Sequence, residues 1–330
     1  MTPPHRPAAA TSAARCLLGV DVGGTKTAAG LVSADGALLT SVVRPTPAAQ
    51  GPAAVLDAIA AAVRELPGHH LAEGLGIGTG GVIDRDSGVV ISANDLLPGW
   101  AGTRLSEELT ARLALPVAAD NDANVFALAE QTYGAGAGCR SALYVSVGTG
   151  IGGGLVTGGR LLRGAHSTAG EFGHIAVPEA TGLGCNCGRT GHLEAVASGP
   201  AMTARFRELT GHDDGRGLRQ VAALAEKDSG SAGDTARAVL AEGAGALGRA
   251  LAGLVNTMDP ERVVIGGGVA SIGDAYWRPL TEAFVTELLP GPSGLRPVPA
   301  KLGPRAAVVG AAALLLEDHD AAGRPLPATS

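Results

Sequence analysis

The 330-residue sequence has few cysteines, no long apolar run and no excess of basic residues, and each absence excludes a class of protein. Four cysteines are too few for a disulfide framework in a chain of this length, so we expect reduced thiols and a cytoplasmic location. The longest run of small or apolar residues covers 11 positions, 306–316, whereas a membrane span needs about 20. The net charge of −6 argues against a nucleic-acid partner.

Several sequence motifs are also absent. There is no G-x-x-x-x-G-K-[ST] segment and no H-R-D…D-F-G set, which excludes a P-loop enzyme and a protein kinase. Residues 1–14 are rich in proline and alanine and lack the apolar segment of a secretory signal. We expect them to form a disordered tail.

Glycine, by contrast, is abundant. The 51 glycines are about twice the usual share, and they cluster at the ends of apolar runs. Such clusters indicate tight turns in which the backbone approaches a ligand closely. Apolar residues make up 45% and charged residues 17%, so the chain is predicted to be globular, and its length favours two domains.

The predicted order of elements repeats once along the chain. Three strands open each series, at 16–20, 27–32 and 37–43 and again, about 125 residues later, at 141–147, 153–157 and 160–163. Helices and further strands follow, with helices at 51–66, 103–113, 123–130, 200–209, 218–225, 234–258 and 305–317 and strands at 74–78, 116–119 and 262–265. Two similar halves that face each other can hold one ligand between them.

The first glycine-rich turn lies at the end of the first strand and consists of Asp21, Val22, Gly23, Gly24, Thr25 and Lys26. Its glycines would leave backbone N–H groups free to bind a phosphate, while Thr25 adds a hydroxyl and Lys26 a charge. Asp21 is a candidate magnesium ligand, acting through water. The alternative is an ordinary glycine hairpin in which Asp21 only caps the turn.

Two further glycine-rich turns follow later strands. The second contains Gly148, Thr149, Gly150 and Gly152, and the third contains Gly266, Gly267 and Gly268. The second is not a Rossmann fingerprint, because a strand rather than a helix comes after it. It is a candidate phosphate loop or a bend of a glycine-rich barrel. The third would let a nucleotide lie against bare backbone, or is a plain turn between a strand and a helix.

A polar cluster, Asp120-Asn121-Asp122-Ala123-Asn124, joins a strand to a helix. Such residues are common helix caps. If one carboxylate is released from capping, it can accept the proton of a sugar hydroxyl during phosphoryl transfer. Asp122 is our candidate for that base, with Asn121 and Asn94 as partners for other hydroxyls.

Four residues with zinc-binding side chains, His174, Cys185, Cys187 and His192, lie within 19 positions. Tetrahedral zinc accepts this mixture of nitrogen and sulfur, and four protein ligands would make the site structural. We expect it to hold Glu171 and Glu194 in place. The alternative is two free thiols and two unrelated histidines.

These motifs together resemble the ROK family of repressors, open reading frames and kinases, from about residue 16 to residue 316. The family's zinc motif is C-x-C-G-x-x-G-C-x-E preceded by E-x-G-H, and this chain has CNCGRTGHLE and EFGH. It departs from the family at the third cysteine, where His192 stands.

The resemblance implies an α/β protein with the actin-like, ribonuclease-H-like ATPase fold, in which two domains flank a cleft. It implies an N-terminal domain at 15–119, a C-terminal domain carrying the zinc loop at 120–304, and a last helix at 305–318 that packs back on the first domain. It also implies a homodimer.

The implied activity is an ATP-dependent hexose kinase that phosphorylates the 6-hydroxyl of glucose or a close analogue, with Asp122 as general base and Mg²⁺ and structural Zn²⁺ as cofactors. The three glycine turns would then bind ATP. The sugar would contact Asn94, Asn121, Asp122, Glu171, His174 and Glu194, and His174 would bind zinc through its other nitrogen.

Three alternatives stay open at this point. An amino sugar such as N-acetylmannosamine, N-acetylglucosamine or kanosamine could replace glucose, because spacing does not reveal the pocket around C2 and C3; the segment 92–100 would border that pocket. A ROK repressor would need a helix-turn-helix before the first strand, where only about 15 residues stand. A sugar-binding protein without catalysis is the third.

Overall fold

The computed structural model describes residues 15–93, 95–211 and 215–317, in which ten of the strands form two five-stranded sheets. The first sheet has the order β3-β2-β1-β4-β7. Its first three strands are antiparallel, whereas β4 and β7 run parallel to β1. In this part of the chain the strands are β1 (Cys16–Val22), β2 (Lys26–Ser33), β3 (Leu38–Pro45), β4 (Ala72–Thr79), the hairpin β5 (Val82–Asp84) and β6 (Val89–Ser92), and β7 (Val117–Asn121).

The second sheet repeats this scheme with the order β10-β9-β8-β11-β12. Three antiparallel strands are again followed by two that run parallel to the first of them. The strands are β8 (Ala142–Val147), β9 (Ile151–Thr157), β10 (Arg160–Leu162), β11 (Arg262–Gly266) and β12 (Val298–Pro299). The internal duplication predicted from the sequence is therefore confirmed at the level of sheet topology.

Nine α-helices surround the two sheets within the described residues. They are α1 (Pro52–Glu65), α2 (Leu105–Leu113), α3 (Asp122–Tyr133), α4 (Glu194–Ala197), α5 (Gly199–Thr210), α6 (Leu218–Lys227), α7 (Ser231–Met258), α8 (Asp274–Glu287) and α9 (Ala306–Ala313). One hydrophobic core joins the first sheet to α1 and α2, and a larger one joins the second sheet to α4 through α8. Apolar residues spaced three or four apart, such as Val55, Ile59 and Val63, give α1 the buried stripe that this packing needs.

Helix α7 is the one helix in the described part of the chain that is long and apolar enough to cross a membrane by length and composition. However, 61% of its most apolar window is buried inside the protein. It packs against α5, α6 and α8. This burial is typical of a core helix in a soluble protein.

Helices α3 and α9 cross each other where the chain passes between the two sheets. A Cβ atom on Gly310 would lie 2.0 Å from the carbonyl oxygen of Val125, so the glycine permits this close crossing. The chain leaves the first sheet at β7, enters α3, and returns through α9, which packs on β1 and β4. We keep the division into domains 15–119 and 120–304 as a proposal; residues 1–14 lie outside the described part.

The last helix packs on the first sheet, but it is shorter than the predicted 305–318. It ends at Ala313, and the amide of Leu315 bonds to the carbonyl of Ala312, three residues back, as in a tightened last turn. Glycines on the sheet make room for it: a Cβ on Gly19 would lie 1.9 Å from the carbonyl oxygen of Val308, and one on Gly76 1.7 Å from that of Ala311.

Substitution of Gly76 by alanine should therefore destabilise the protein. The added methyl group would overlap a helix backbone atom that cannot rotate away, so we expect the free energy of unfolding to fall by about 3 kcal/mol. Urea unfolding monitored by circular dichroism measures this change. Gly253→Ala is the matched control, because nothing lies within 4 Å of its Cβ position in α7, and it should stabilise by about 0.5–1 kcal/mol. Equal unfolding midpoints for the two variants would contradict this packing.

Candidate active site

The first glycine turn closes the hairpin between β1 and β2. The amide of Gly23 donates to the carbonyl of Lys26 over 2.9 Å, while Thr25 and Lys26 are exposed. A Cβ on Gly24 would lie 2.8 Å from the carbonyl oxygen of Leu96, so the loop after β6 rests directly on this turn. The turn therefore presents a hydroxyl and an ammonium group to solvent beside the end of β1.

The second and third glycine turns lie next to each other at the ends of β8 and β11. The amide of Gly148 bonds to the carbonyl of Gly150 over 2.9 Å. Gly267 has a φ of +86°, and a Cβ there would lie 2.3 Å from the carbonyl oxygen of Val147. Nothing lies within 4 Å of a Cβ on Gly148 or on Gly268, so both turns border open space. As predicted, a strand rather than a helix follows the second turn.

The corner between β7 and α3 carries the candidate base. Asn121 is the N-cap of α3: its side-chain oxygen accepts from the amides of Ala123 and Asn124, at 2.8 and 3.3 Å. Its side-chain nitrogen donates to the carbonyl of Gly81 over 2.8 Å. Because Asn121 performs the capping, Asp122 is released from that role, although one of its oxygens also accepts from the amide of Ala123, at 2.9 Å.

The side of Asp122 that faces away from α3 is the part of the corner that matters for catalysis. The residue is open to solvent, yet the protein around it is dense enough for burial to raise the pKa of its carboxyl. Hydrogen bonds from Ala123 and Asn121 oppose this rise in part. A carboxylate that is enclosed on most sides and open on one side explains both the exposure of the residue and the raised pKa.

Asp21 lies close enough to Asp122 for the two carboxylates to repel each other. Burial, and then this repulsion, raise the pKa of Asp21 from 3.8 to about 6. The second glycine turn reaches the same place, because a Cβ on Gly152 would lie 2.8 Å from the Cβ of Ala123. The end of β1, the second glycine turn and the start of α3 therefore lie close together, and we call the space in front of the exposed residue Asp122 the groove.

The segment Glu171-Phe172-Gly173-His174 packs on β9 through glycines. Gly170 has a φ of +97°, and side chains on Gly153 or Gly173 would collide with Phe172 or with the backbone of Ile151. Burial raises the pKa of Glu171; His174 opposes the rise, and repulsion from Asp122 and Glu194 adds to it. The carboxylate of Glu171 is therefore close enough to Asp122 for the two to repel each other.

Glu194 is less free than the sequence prediction supposes. One of its carboxylate oxygens accepts from the amide of Ile151 over 2.8 Å, and Asn186 is 3.5 Å from the other. Glu194 also lines a cavity of about 650 Å³ between the cysteine loop, α5 and α7, and Asp122 does not line that cavity. Glu194 therefore braces the second glycine turn in this structure.

The four predicted metal ligands converge. The ligand atoms of His174, Cys185, Cys187 and His192 all lie within 4.8 Å of one another, and the Sγ of Cys187 is 3.3 Å from the Nδ1 of His192. A zinc tetrahedron has edges of about 3.8 Å at most, so a modest contraction would complete it. Two thiols and two imidazoles are a donor set that fits zinc.

Backbone pairing explains why these four residues meet. The amide of Cys185 bonds to the carbonyl of Arg189 over 2.7 Å, and Gly188, with a φ of +83°, closes the knuckle between them. The amide of Leu193 bonds to the carbonyl of Ile175 over 2.8 Å, which brings His192 beside His174. The local sequence thus builds a tight double turn around the site.

His174 connects the metal cluster to the groove. Its Nδ1 is 3.2 Å from the Oε2 of Glu171, which leaves Nε2 for a metal ion. A carboxylate on the second nitrogen of a ligating histidine fixes the orientation of the ring. If Nε2 of His174 binds the metal, a sugar hydroxyl can contact this histidine only at Nδ1, which already faces Glu171.

One predicted sugar residue, Asn94, lies outside the described residues. Its neighbourhood is nevertheless anchored: Trp100 is buried and donates from its indole nitrogen to the hydroxyl of Thr79 over 3.1 Å. With Leu96 against Gly24, this segment contacts the first glycine turn; that the segment 92–100 borders the sugar pocket stays a prediction.

The sequence analysis missed a buried charge cluster behind the corner. Asp120 is 1% exposed and pairs with Arg163, 43 positions away, which also pairs with Glu317. No local motif marks these residues, because the pairing depends on how distant strands meet.

Comparison with known proteins assigns the chain to a family. The sequence model of the ROK family matches residues 17–318. A glucokinase of Thermotoga maritima is 38% identical over 311 residues, which are 91% of this chain and 97% of the relative. An N-acetylmannosamine kinase of Escherichia fergusonii is 35% identical over 271 residues, 82% of this chain and 88% of the relative.

Solved structures agree with these relatives. The chain is similar to a ROK hexokinase from Thermus thermophilus, with a TM-score of 0.80, 36% identity and coverage of 92% of this chain and 98% of the other. It is also similar to a ROK family glucokinase from Streptomyces griseus solved with glucose and AMPPNP, with a TM-score of 0.76, 34% identity and coverage of 91% and 98%. The actin-like fold expected from the sequence is thereby confirmed, and the chain belongs to the ROK family.

Proposed function

We propose that this protein is an ATP-dependent hexose kinase that phosphorylates the 6-hydroxyl of glucose or a close analogue. The observation that supports this most is the state of Asp122, an accessible carboxylate that Asn121 has released from helix capping. It stands where two glycine turns and Glu171 converge. The similarity to proteins named glucokinase, one of them solved with glucose, supports glucose as the acceptor.

ATP would lie across the three glycine turns. Gly24, Gly150 and Gly152 would offer backbone amides to the phosphates, Gly23 and Gly148 would shape the two turns through their own backbone hydrogen bonds, and the turn Gly266–Gly268 would lie beside the adenosine. Thr25 and Thr149 add hydroxyl donors and Lys26 adds a positive charge. Asp21 would hold Mg²⁺ through water, and this ion would neutralise charge on the phosphates.

The sugar would bind beside Asp122, whose carboxylate accepts the proton of the 6-hydroxyl as the new P–O bond forms. Asn121, Glu171 and Asn94 would bind the other hydroxyls, and Glu194 and His174 would brace the residues around the sugar. Closure of the groove would exclude water, which otherwise competes as the phosphate acceptor.

Zinc would be held by His174, Cys185, Cys187 and His192. These four protein ligands leave no open coordination position, so the ion would stabilise the loop and take no part in phosphoryl transfer. Through His174 it would fix Glu171 at the groove.

We further propose that the protein is a homodimer, lies in the cytoplasm and has no nucleic-acid partner. Gel filtration tests the homodimer, and a gel-shift assay with the protein's own promoter DNA tests the absence of a nucleic-acid partner.

A substrate panel tests the proposed function. Purified protein is incubated with Mg-ATP and glucose, mannose, N-acetylmannosamine, N-acetylglucosamine or kanosamine, and ADP release is followed. We expect the highest kcat/KM with glucose. A preference for N-acetylmannosamine would favour the alternative suggested by the Escherichia fergusonii relative. No phosphoryl transfer to any sugar would contradict the proposal.

Activity should fall on acidification while stability does not. Asp21, with a pKa of about 6, and Asp122, with a raised pKa, must both be ionised to act, so kcat/KM should drop between pH 7.5 and pH 5.5. Because the folded pKa of Asp21 is above its ordinary value of 3.8, the folded state binds this proton more tightly than the unfolded state. Between pH 6 and pH 4, protonation of Asp21 therefore adds stability as the pH falls.

Initial rates and urea unfolding, both measured across this pH range, separate the two effects. A flat activity profile down to pH 5, or a loss of activity that parallels unfolding, would contradict the ionisation model.

A further inference from the structure

We propose that Arg163 is a positioning residue for the candidate base, acting through the buried carboxylate of Asp120. This inference rests on the proposed function, because it assigns Arg163 a role in placing Asp122. Arg163 lies directly after β10, a strand of the second sheet, whereas Asp120 is the last residue but one of β7, in the first sheet. The pair therefore connects the two sheets immediately behind the groove.

The carboxylate of Asp120 fixes both sides of the corner that carries Asp122. One oxygen accepts from the amide of Asn121 at 2.7 Å and from the side-chain nitrogen of Asn124 at 2.9 Å. These residues stand one position before and two positions after Asp122. These hydrogen bonds of Asp120 thus fix the conformation of the chain where β7 turns into α3.

Arg163 offsets the free-energy cost of burying the charge of Asp120. Its Nε donates to the second oxygen of Asp120 over 2.6 Å, and the side chain of Asp120 is 1% exposed. A buried charge without a partner costs several kcal/mol, so Asp120 without Arg163 would take up a proton or leave its position. Either change weakens the hydrogen bonds to Asn121 and Asn124.

The guanidinium of Arg163 also fixes the segment after α9, which returns to the first sheet. Its Nη2 is 2.5 Å from the Oε2 of Glu317, which follows α9, and Arg85 donates to the carbonyl of Leu314 over 3.1 Å. Arg163 therefore joins the segment that leaves the first sheet to the segment that returns to it. A displacement of about 1 Å at a catalytic group can lower a rate a hundredfold, so this anchor matters for Asp122.

The test compares Arg163→Met with Arg237→Met. Arg237 is a matched control, since it is a half-buried arginine that donates to the carbonyls of Ala225 and Asp228, far along the chain from the corner. For Arg163→Met we expect kcat, normalised to folded protein, to fall about tenfold to a hundredfold, with the KM for ATP unchanged within about twofold. Arg237→Met should lose stability and keep kcat.

The double variant Asp120→Asn/Arg163→Met separates positioning from stabilisation. Asparagine keeps an oxygen that can accept from Asn121 and Asn124 but carries no charge to leave unpaired, so the double variant should regain at least about fivefold in kcat over Arg163→Met. Multiplicative losses, or an Arg163→Met variant with wild-type kcat, would overturn the inference. Should Arg163→Met fail to fold, Arg163→Gln takes its place: its neutral side chain removes the positive charge opposite Asp120, so wild-type kcat in that variant would also overturn the inference.

Amide hydrogen exchange tests the anchor without relying on any substrate. The amide of Asn121 should exchange at least about tenfold faster in Arg163→Met, whereas amides of α7 should not change. Unchanged exchange at Asn121 overturns the inference even if the sugar assignment is right. If no sugar is phosphorylated by the wild type, the proposed function fails while this measurement still decides whether Arg163 anchors the corner.

Discussion

Replacing Asp122 with asparagine is expected to lower kcat by about 10² to 10⁴-fold while glucose still binds. The amide has the shape of the carboxylate and its oxygen can still accept from the amide of Ala123, so the corner should keep its conformation. It cannot accept the proton of the 6-hydroxyl, which remains a poor nucleophile. ADP release measures kcat, and titration calorimetry measures the Kd for glucose.

The matched control is Asp86→Asn, which alters an exposed carboxylate in the turn between β5 and β6. This variant should keep the wild-type kcat and Kd. A kcat for Asp122→Asn within about threefold of the wild type would exclude Asp122 as the general base. Loss of glucose binding together with kcat would instead indicate that Asp122 mainly binds the sugar.

Loss of the metal cluster is the second large effect that we expect. Cys185→Ser removes a buried ligand, so the purified variant should contain less than one tenth of an equivalent of zinc, against one equivalent for the wild type. Because His174 then no longer orients Glu171, the KM for glucose should rise by at least about tenfold. The KM for ATP should change less, since the glycine turns lie outside the cysteine loop.

Cys139→Ser is the control for this prediction. Cys139 is also a buried free thiol, but it packs in a hydrophobic cluster with Phe126 and Tyr144 and is not one of the four candidate metal ligands. Its zinc content and KM for glucose should match the wild type. His192→Cys, which restores the third cysteine of the family motif, should retain zinc. Full zinc content in Cys185→Ser, measured by mass spectrometry of the metals, would contradict the ligand assignment.

Local chemistry explains why the glycine turns, the cap and the metal loop could be predicted from the sequence. A glycine pair after an apolar strand fixes a turn with few alternatives, as at Gly23 and Gly267. Asn121 next to Asp122 offers two cap residues, and the structure shows that the first one takes the cap. CNCGRTGH carries its own turn residues, so its ligands meet with little help from distant elements.

Elements that depend on tertiary packing were missed. The helix α8 contains Pro279, which argues against a helix, yet it forms because Tyr276, Leu280 and Phe284 are buried in the core it shares with α7. The hairpin of β5 and β6 has strands of three and four residues, too short for a periodic signal.

The pairing of charges that are distant in sequence could not be predicted either. Arg163 is 43 positions from Asp120 and 154 from Glu317, and neither spacing marks a local structure. Tertiary packing brings these residues together from the end of β7, the end of β10 and the segment after α9. The candidate base could thus be found from the sequence, whereas the residues that anchor it could not.

A crystal structure of the protein with glucose and a non-hydrolysable ATP analogue tests the central claim most directly. We expect the 6-hydroxyl oxygen to lie about 2.6–3.2 Å from a carboxylate oxygen of Asp122, on the side facing the terminal phosphate. Glucose bound in the cavity between the cysteine loop, α5 and α7, with Asp122 beyond hydrogen-bonding distance, would contradict the account.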